Sequence, residues 1–378
     1  MGELPFALAP EAALGAWLRE AEREMEPHRT AGTYRGFDGT ELPWQAVHAD
    51  RPRAHVVLLH GFTEFPEKYR ELCRYLRQAG CTVWLPVLRG HGQGGIVHVD
   101  RFEDYVRDIA CFLRDIVPER PLLFGHSMGG GVAARLLQER PDCAARAVLC
   151  SPMLCPQTGR APHWLALGCA RMLLRRGERE KSPLFSGAYD PNAEFSCSGC
   201  TSRARFRAAM DCRAECPAYQ TMGASNRWVY ESLALRSRVL SPRACRRVQV
   251  PVLVCSAGRD TQVSLREQRL LAARLPQGRL LEFPDEKHEL YNAGNAGLAA
   301  FLGAVLEFFG LAQLVIAPGE HLLQRAGAKL LRSVKQRADG GKMFIEFLPH
   351  AGALRALPGE QKSGLSHSRP SFLDSFRL

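Results

Sequence analysis

From residue 53 onward, the chain alternates short, continuous apolar runs with longer segments in which apolar residues have helical spacing. The apolar runs are HVVLL at 55–59, CTVWLP at 81–86, PLLFG at 121–125, RAVLC at 146–150, VPVLVCSA at 250–257 and GRLLEF at 278–283. Short runs without a polar face predict strands that are buried on both sides, and the segments between them predict helices. The alternation therefore predicts an α/β fold, in which a mostly parallel central sheet carries helices on both faces.

Two further elements precede this alternation. The spacing of Leu14, Leu18 and Ala21 predicts a helix, and residues 33–47 predict a hairpin that turns at Asp38. The whole chain is 46% apolar and 24% charged, which is typical of a globular protein and excludes disorder as its main state.

Positive charge is concentrated in two parts of the chain. Residues 155–250 contain 16 Lys or Arg against 7 Asp or Glu, and residues 311–378 contain 10 against 5, whereas the other regions are close to neutral. Such an excess is either a solvated face or a surface that attracts an anionic partner. The charge pattern alone leaves both interpretations open.

Residues 155–248, called the insert below, contain three segments with helical spacing and no run of the strand type. Their place between two predicted strands indicates a helical, basic cap over the carboxyl edge of the sheet, where ligands bind in open α/β folds. We expect residues 1–154 and 249–310 to form the core. Residues 311–378 are expected to be an extension, with one amphipathic helix at 320–336 and a largely disordered end.

The segment GHSMGG lies between a predicted strand and a predicted helix. A Gly-x-Ser-x-Gly pattern in this context is typical of a nucleophile elbow, a sharp turn that holds its serine in a strained backbone conformation. Gly125 and Gly129 would let the turn approach its neighbours closely, because side chains there would collide with them. Ser127 is therefore the candidate nucleophile.

A serine hydroxyl needs a base to take its proton and a carboxylate to orient that base. Asp260 follows the predicted strand at 250–257, and His288 follows the next strand, so the order serine, acid, histidine matches that expected after an elbow. Asp285 is a second candidate for the acid, although it shares the loop of His288. We predict a triad of Ser127, Asp260 and His288.

Attack on a carbonyl creates an oxyanion, which two backbone N–H groups must stabilise. Met128 follows the nucleophile and supplies the first donor. The segment HGF ends the strand at 55–59, where glycine permits close backbone approach, and Phe62 supplies the second donor. His91 and His126 are expected to be structural, the first holding its loop and the second lining the pocket.

The thirteen cysteines are an odd number scattered along the chain, and several lie inside apolar runs. This distribution indicates free thiols in a reducing compartment, and hence a cytoplasmic location. Cys197, Cys200, Cys212 and Cys216 have the spacing C-x2-C-x11-C-x3-C, so a zinc site is an alternative interpretation of these four residues. Acyl transfer by a serine needs no metal, and we expect neither a metal nor a cofactor.

Membrane-spanning and export segments are not expected. The first residues contain an acidic side chain where a signal peptide has cations. The longest apolar helical stretch, 298–309, is well short of the roughly 20 residues that cross a bilayer.

Several motifs together carry a resemblance that runs from about residue 37 to residue 310. In chain order they are HGFTEFPEKYRELCRYLRQAG, RGHGQG, GHSMGGGVAARLLQERP, GASNRWVYESL and KHEL. In this combination the chain resembles the bacterial lysophospholipases and the monoglyceride-lipase-like serine hydrolases of the α/β-hydrolase superfamily. It departs from their pattern at Val87, where an Asp is usual, and at Gly94, where a Ser is usual.

The resemblance implies an α/β-hydrolase fold, with a helical lid inserted between two sheet strands and no cofactor. It implies a serine carboxylic-ester hydrolase that releases fatty acid from a single-chain lipid through an acyl-enzyme on Ser127. A lysophospholipid is the expected substrate, and a monoacylglycerol or a small ester is the alternative. Thioesterase, acyltransferase and non-catalytic binding functions also remain open. We further expect peripheral contact with an anionic membrane surface, and no nucleic-acid partner.

Overall fold

The computed structural model describes residues 4–182 and 188–311. The strands are β1 (Arg29–Arg35), β2 (Glu41–Val47), β3 (Ala54–Leu59), β4 (Cys81–Pro86), β5 (Gly95–Val97), β6 (Leu122–His126), β7 (Arg146–Cys150), β8 (Thr221–Ala224), β9 (Val252–Ala257) and β10 (Gly278–Phe283). The α-helices are α1 (Leu14–Met25), α2 (Arg70–Gln78), α3 (Phe102–Asp115), α4 (Met128–Glu139), α5 (His163–Arg175), α6 (Arg203–Ala214), α7 (Asn226–Val239), α8 (Pro242–Cys245), α9 (Leu265–Arg274) and α10 (Asn295–Phe309). The helix expected at 320–336 and the end that follows it lie outside the described residues.

Eight strands form the main sheet, in the order β1-β2-β4-β3-β6-β7-β9-β10. Six neighbouring strands of this sheet, β4, β3, β6, β7, β9 and β10, pair in parallel. At one edge, β1 and β2 form an antiparallel hairpin, and β2 pairs antiparallel with β4. This hairpin was predicted, although it begins at Arg29 rather than at Thr33. The predicted mostly parallel sheet is confirmed.

Hydrophobic cores lie on both faces of the sheet, because successive side chains of a strand point to opposite sides. In β3, Val57 and Leu59 join a cluster that contains apolar side chains of α3, α4, α7 and α9. Val56 and Leu58 join a second cluster, with side chains of α1, α2 and α10. Burial on both faces explains why the strands appear in the sequence as continuous apolar runs.

The insert contains helices α5 to α8, but the expectation that it has no strand was wrong. Thr221–Ala224 forms β8, which pairs in parallel with β5 in a separate two-stranded sheet. Four residues that include a glycine are too few to show the alternation of apolar and polar residues by which a strand is recognised in a sequence. This pairing joins the insert to the loop that follows β4. Among the described residues, no helix is long and apolar enough to cross a bilayer.

Candidate active site

Ser127 lies at the turn between β6 and α4, at the carboxyl edge of the sheet. Its backbone has φ 49° and ψ −115°, a left-handed conformation that costs free energy for a residue with a side chain. Three hydrogen bonds hold it in place. The Ser127 N–H donates to the Cys150 carbonyl at 3.0 Å, and its own carbonyl accepts from the N–H groups of Gly131 at 3.1 Å and Met153 at 2.8 Å. The strained turn is therefore fixed by α4 and by the chain at the end of β7.

Close packing around this turn leaves no room for side chains at its glycines. A Cβ atom on Gly125 would lie 2.6 Å from the Gly129 carbonyl oxygen, and one on Gly129 would lie 2.6 Å from the His60 carbonyl oxygen. Both distances are far below ordinary van der Waals contact. The sequence analysis inferred that side chains at these two positions would collide with their neighbours, and these distances show that collision.

His288 and Asp260 are in direct contact beside this turn. The distance between His288 Nδ1 and Asp260 Oδ2 is 2.6 Å, and both side chains are almost completely buried. The second carboxylate oxygen of Asp260 accepts the N–H groups of Gln262 at 2.8 Å and Val263 at 3.1 Å. With Nδ1–H donating to the carboxylate, Nε2 is left as the acceptor that a general base requires. Asp285, the alternative acid, is exposed.

His288 lies beside the residue that precedes Ser127, but Ser127 and His288 form no hydrogen bond with each other. The ring of His126, the residue before the serine, lies 4.8 Å from the His288 ring, measured between centroids. Among the described residues, the side-chain hydrogen bond of His288 runs to Asp260. Nucleophile and base often approach closely only when substrate is bound, so this geometry is compatible with proton transfer between them.

The segment after β3 is held by a second set of hydrogen bonds. The Gly61 N–H donates to Glu64 Oε2 at 2.7 Å, and His60 Nε2 accepts the Leu88 N–H at 3.0 Å. Within the described residues, the N–H groups of Phe62 and Met128 donate no hydrogen bond. Met128 is the first residue of α4, where N–H groups have no partner inside the helix. These two predicted oxyanion donors are therefore available.

His91 holds this segment from the other side, and it also contacts carbonyls of its own loop, which the sequence analysis expected it to hold. Its Nε2 accepts the Thr63 N–H at 3.2 Å, while its Nδ1 faces the carbonyls of Leu88 and Arg89 at 3.2 and 3.1 Å. Burial, reinforced by the nearby His60 ring, lowers the pKa of His91 to about 3. The ring is therefore neutral, which its hydrogen bonds also require, because a protonated Nε2 would face another donor.

A buried polar network that the sequence analysis missed lies beneath the site. Lys68 Nζ is 2.5 Å from a carboxylate oxygen of Glu64 and 2.9 Å from one of Glu289. Tyr291 donates its hydroxyl to Glu64 at 2.8 Å. Burial favours the neutral acid, but the charge of Lys68 and the hydrogen bonds from Lys68 and Tyr69 outweigh it and hold the pKa of Glu64 well below its usual range. The network joins the segment after β3 to the residue that follows His288.

His126 is fully buried between this network and His288. Neither of its ring nitrogens has a hydrogen-bond partner among the described residues, and Nε2 lies 3.7 Å from Glu64 Oε1. Burial lowers the pKa of His126 to about 4, although the Glu64 carboxylate acts in the opposite direction. His126 therefore forms a neutral wall of the site, as the sequence analysis expected.

Side chains of the insert contact the segment after β3. The ring centroids of Phe62 and Trp228 are 4.1 Å apart, and those of Phe65 and Tyr219 are 4.5 Å apart in a stacked arrangement. Arg213 also donates to the carbonyl of the residue after Phe62. Ser127 itself is 8% exposed. The insert therefore packs against the segment that carries the predicted oxyanion donor Phe62.

The four spaced cysteines do not form a metal site in the described structure. Cys197 is exposed, whereas burial raises the pKa of Cys200 to about 12 and that of Cys212 to about 11. Within residues 4–182 and 188–311, no three His, Cys, Asp or Glu side chains form a group that could hold a metal ion.

Comparison with known proteins identifies the family. A sequence profile of the family described as serine aminopeptidase, S33 (Hydrolase_4) matches residues 50–294, which include the elbow, Asp260 and His288. The chain belongs to this family. The recognition of an α/β-hydrolase from its motifs is thereby confirmed.

Several curated relatives of this S33 protein are lipid hydrolases by name. It is 29% identical over 324 residues to lysophospholipase L2 of Escherichia coli K12, a match that covers 79% of this chain and 93% of that protein. It is 35% identical over 109 residues to the monoglyceride lipase of Homo sapiens, covering 27% of this chain and 36% of that protein. The first match extends over most of both chains, whereas the second covers about a third of each or less.

Solved structures share the fold. The monoacylglycerol lipase of Paleococcus ferrophilus superposes with a TM-score of 0.57 at 24% identity, covering 71% of this chain and 98% of that one. A soluble variant of the Saccharomyces cerevisiae monoglyceride lipase superposes with a TM-score of 0.58 at 15% identity, covering 75% and 97%. At such identities the likeness supports the α/β-hydrolase fold alone.

Proposed function

We propose that this S33 protein is a serine carboxylic-ester hydrolase that releases the fatty acid from a lysophospholipid. The observation that carries the proposal is the Asp260–His288 contact of 2.6 Å beside the strained turn of Ser127. Similarity to a lysophospholipase over 93% of that protein's length supports the choice of substrate class. The 35% identity with a monoglyceride lipase favours monoacylglycerol as the second candidate substrate, with small esters as a further possibility.

The proposed reaction begins with attack of Ser127 Oγ on the ester carbonyl, while His288 Nε2 takes the hydroxyl proton. The negative charge of the tetrahedral intermediate is stabilised by the N–H groups of Phe62 and Met128. His288 then gives its proton to the departing glycerol oxygen, which leaves an acyl group on the serine. Water, deprotonated by the same imidazole, attacks this acyl-enzyme and releases the fatty acid. Asp260 orients the ring and stabilises its protonated form.

The insert is proposed to act as the cap of this site, with residues 1–154 and 249–310 as the core. Trp228 and Tyr219 support that role because they lie against Phe62 and Phe65, in the segment that carries the proposed oxyanion donor. A long acyl chain would then occupy apolar space that opens when these rings separate. Thioesterase and acyltransferase activities use the same acyl-enzyme and differ in the group that is cleaved or that accepts the acyl chain.

We also propose peripheral contact with an anionic membrane surface and a cytoplasmic location. The thirteen cysteines are all free thiols, which supports a reducing compartment. The basic insert supports attraction to anionic headgroups. Arg205 cannot contribute to that attraction, although it belongs to the basic helix predicted from the sequence, because it is buried against Glu71. Arg203 and Arg207 on the same helix are exposed.

The proposal is tested by measuring product release from lysophosphatidylcholine, monoolein, a short p-nitrophenyl ester and an alanine p-nitroanilide in parallel. The expected result is ester hydrolysis with lysophosphatidylcholine preferred, and little cleavage of the anilide. The Ser127→Ala variant is the control and should be inactive on every ester. Cleavage of the anilide alone, or full ester hydrolysis by the Ser127→Ala variant, would refute the proposal.

A further inference from the structure

Helix α5, in the insert, exposes an unusual amount of apolar surface. Trp164 is 72% exposed, Leu165 43% and Met172 45%, and Ala170 is the only buried residue of this helix. At about 100° per residue these three side chains fall on one face. The opposite face, with Ala170, packs towards α7. Exposure of these apolar side chains to water costs free energy, and contact with another apolar phase would remove that cost.

Cations accompany the apolar side chains on this face. Arg171, Arg175 and Arg176 are exposed and fall on the same side of α5, or just beyond its end, as Trp164. None of the three forms an ion pair within the described part of the chain, and α5 itself contains no Asp or Glu. The outer face of α5, defined by Trp164, Leu165, Arg171, Met172, Arg175 and Arg176, is thus both apolar and positively charged.

We propose that the outer face of α5 docks on an anionic lipid bilayer. Apolar side chains interleaved with unpaired arginines match the boundary between acyl chains and negative headgroups, and tryptophan favours that depth. A second protein would need acidic side chains opposite the arginines within an apolar patch, whereas a bilayer supplies both properties over its whole surface. The inference rests on the proposed hydrolysis of a lipid ester, which requires the enzyme to meet a lipid phase.

The position of α5 connects this face to the active site. His163, at the start of α5, contacts the Leu233 carbonyl of α7 at 3.0 Å. On α7, Trp228 lies against Phe62, whose N–H is the proposed oxyanion donor. A bilayer bound at α5 would therefore be one helix away from the aromatic contact with the segment that carries the proposed oxyanion donor. Docking would bring lipid close to this part of the proposed active site.

Trp164 is itself the probe for the test, because it is the one exposed tryptophan of the five. The Ser127→Ala variant is mixed with vesicles of phosphatidylcholine, with or without phosphatidylglycerol, and with vesicles that contain brominated phosphatidylcholine. With anionic vesicles, the fluorescence should shift to shorter wavelength and be quenched by the bromine atoms. In a Trp164→Phe variant most of this response should disappear, while sedimentation with vesicles continues.

Two further variants test the two properties of the face. Replacing Trp164, Leu165 and Met172 by serine should weaken vesicle affinity by at least about tenfold, because affinity scales with the apolar area inserted. Replacing the three arginines by glutamine should remove the preference for anionic vesicles. Leu280→Ser is the matched control, since Leu280 is 39% exposed on the edge strand β10 of the core, and it should bind vesicles like the parent.

Three results would overturn the proposal. The triple serine variant could bind anionic vesicles as well as its parent, or the protein could sediment with vesicles while Trp164 escapes quenching by brominated lipid. Protection of Trp164 from acrylamide in the absence of vesicles would mean that another segment or a second copy covers the face. Turnover of a short soluble ester, measured in the wild-type background, should be unchanged in every α5 variant. If the wild-type protein does not hydrolyse the short ester, the proposed function is refuted and the docking site is not.

Discussion

The buried ion pair between Arg205 and Glu71 should make a large and measurable contribution to stability. Arg205 Nε and Nη2 donate to the two oxygens of Glu71 at 2.9 and 2.7 Å, and Nη1 donates to the Ala293 carbonyl at 2.9 Å. The arginine side chain is 1% exposed and the glutamate side chain 8%. In an Arg205→Met variant, the carboxylate would remain buried without its partner. Removing one member of a buried pair typically costs about 3–5 kcal/mol.

Urea unfolding followed by far-ultraviolet circular dichroism measures this loss. Arg205→Met should lower the free energy of unfolding by about 3–5 kcal/mol, whereas Arg207→Met, on the exposed side of the same helix, should change it by less than about 0.5 kcal/mol. Combining Arg205→Met with Glu71→Leu should cost less than the sum of the single changes, because the double variant leaves no unpaired charge. A cost below about 1 kcal/mol for Arg205→Met, or strict additivity in the double variant, would refute the reasoning.

Other expected outcomes can be measured independently. Ser127→Ala and Asp260→Asn should each lower ester turnover by roughly 10⁴-fold without loss of fold, as judged by circular dichroism; normal turnover in either would contradict the triad. Gly129→Ala should prevent correct folding because of the clash with the end of β3, whereas Gly168→Ala, in open space on α5, should raise the free energy of unfolding by about 0.5–1 kcal/mol. Burial lowers the pKa of His91 to about 3 in the folded state, against about 6.5 in the unfolded state. The contribution of His91 to the free energy of unfolding should therefore be fully present above pH 6.5 and be lost as the pH decreases towards 3, because the unfolded chain binds the proton first. This acid-dependent loss, measured by urea unfolding across pH, should be smaller in His91→Gln, and equal pH profiles would show that another group is responsible.

The parts of the fold that could be predicted are those with a strong local pattern. Strands buried on both faces appear as uninterrupted apolar runs, so β3, β4, β6, β7, β9 and β10 were all recognisable. Ser127 was recognisable because its turn requires glycines on both sides. Asp260 and His288 followed from the order of strands, since each comes after a strand whose carboxyl end reaches the same edge of the sheet. The comparisons confirm the family that these motifs indicate.

What could not be predicted depends on contacts between distant parts of the chain. β8 is a strand only because β5 pairs with it, and its own four residues carry no pattern. Arg205 looks like one member of a basic surface cluster, and only the proximity of Glu71 on α2 places it in the interior. Lys68 lies in a short polar segment before α2 that looks solvent-exposed in the sequence. Its ion pairs with Glu64 and Glu289 exist only because the loop of His288 folds over it.

The helix α7 limits how the insert could be exchanged between members of the family. Parallel neighbours such as β7 and β9 need a crossover, and α7 supplies part of it, since Leu235 and Val239 are buried in the core cluster on that face of the sheet. Its first turn meanwhile carries Trp228, which packs against Phe62. A chimera that imports another protein's whole insert would therefore replace part of the core packing as well. Grafts that end before β8 would leave α7 and the β5–β8 pair intact, and would alter helix α5 without replacing the core packing of α7.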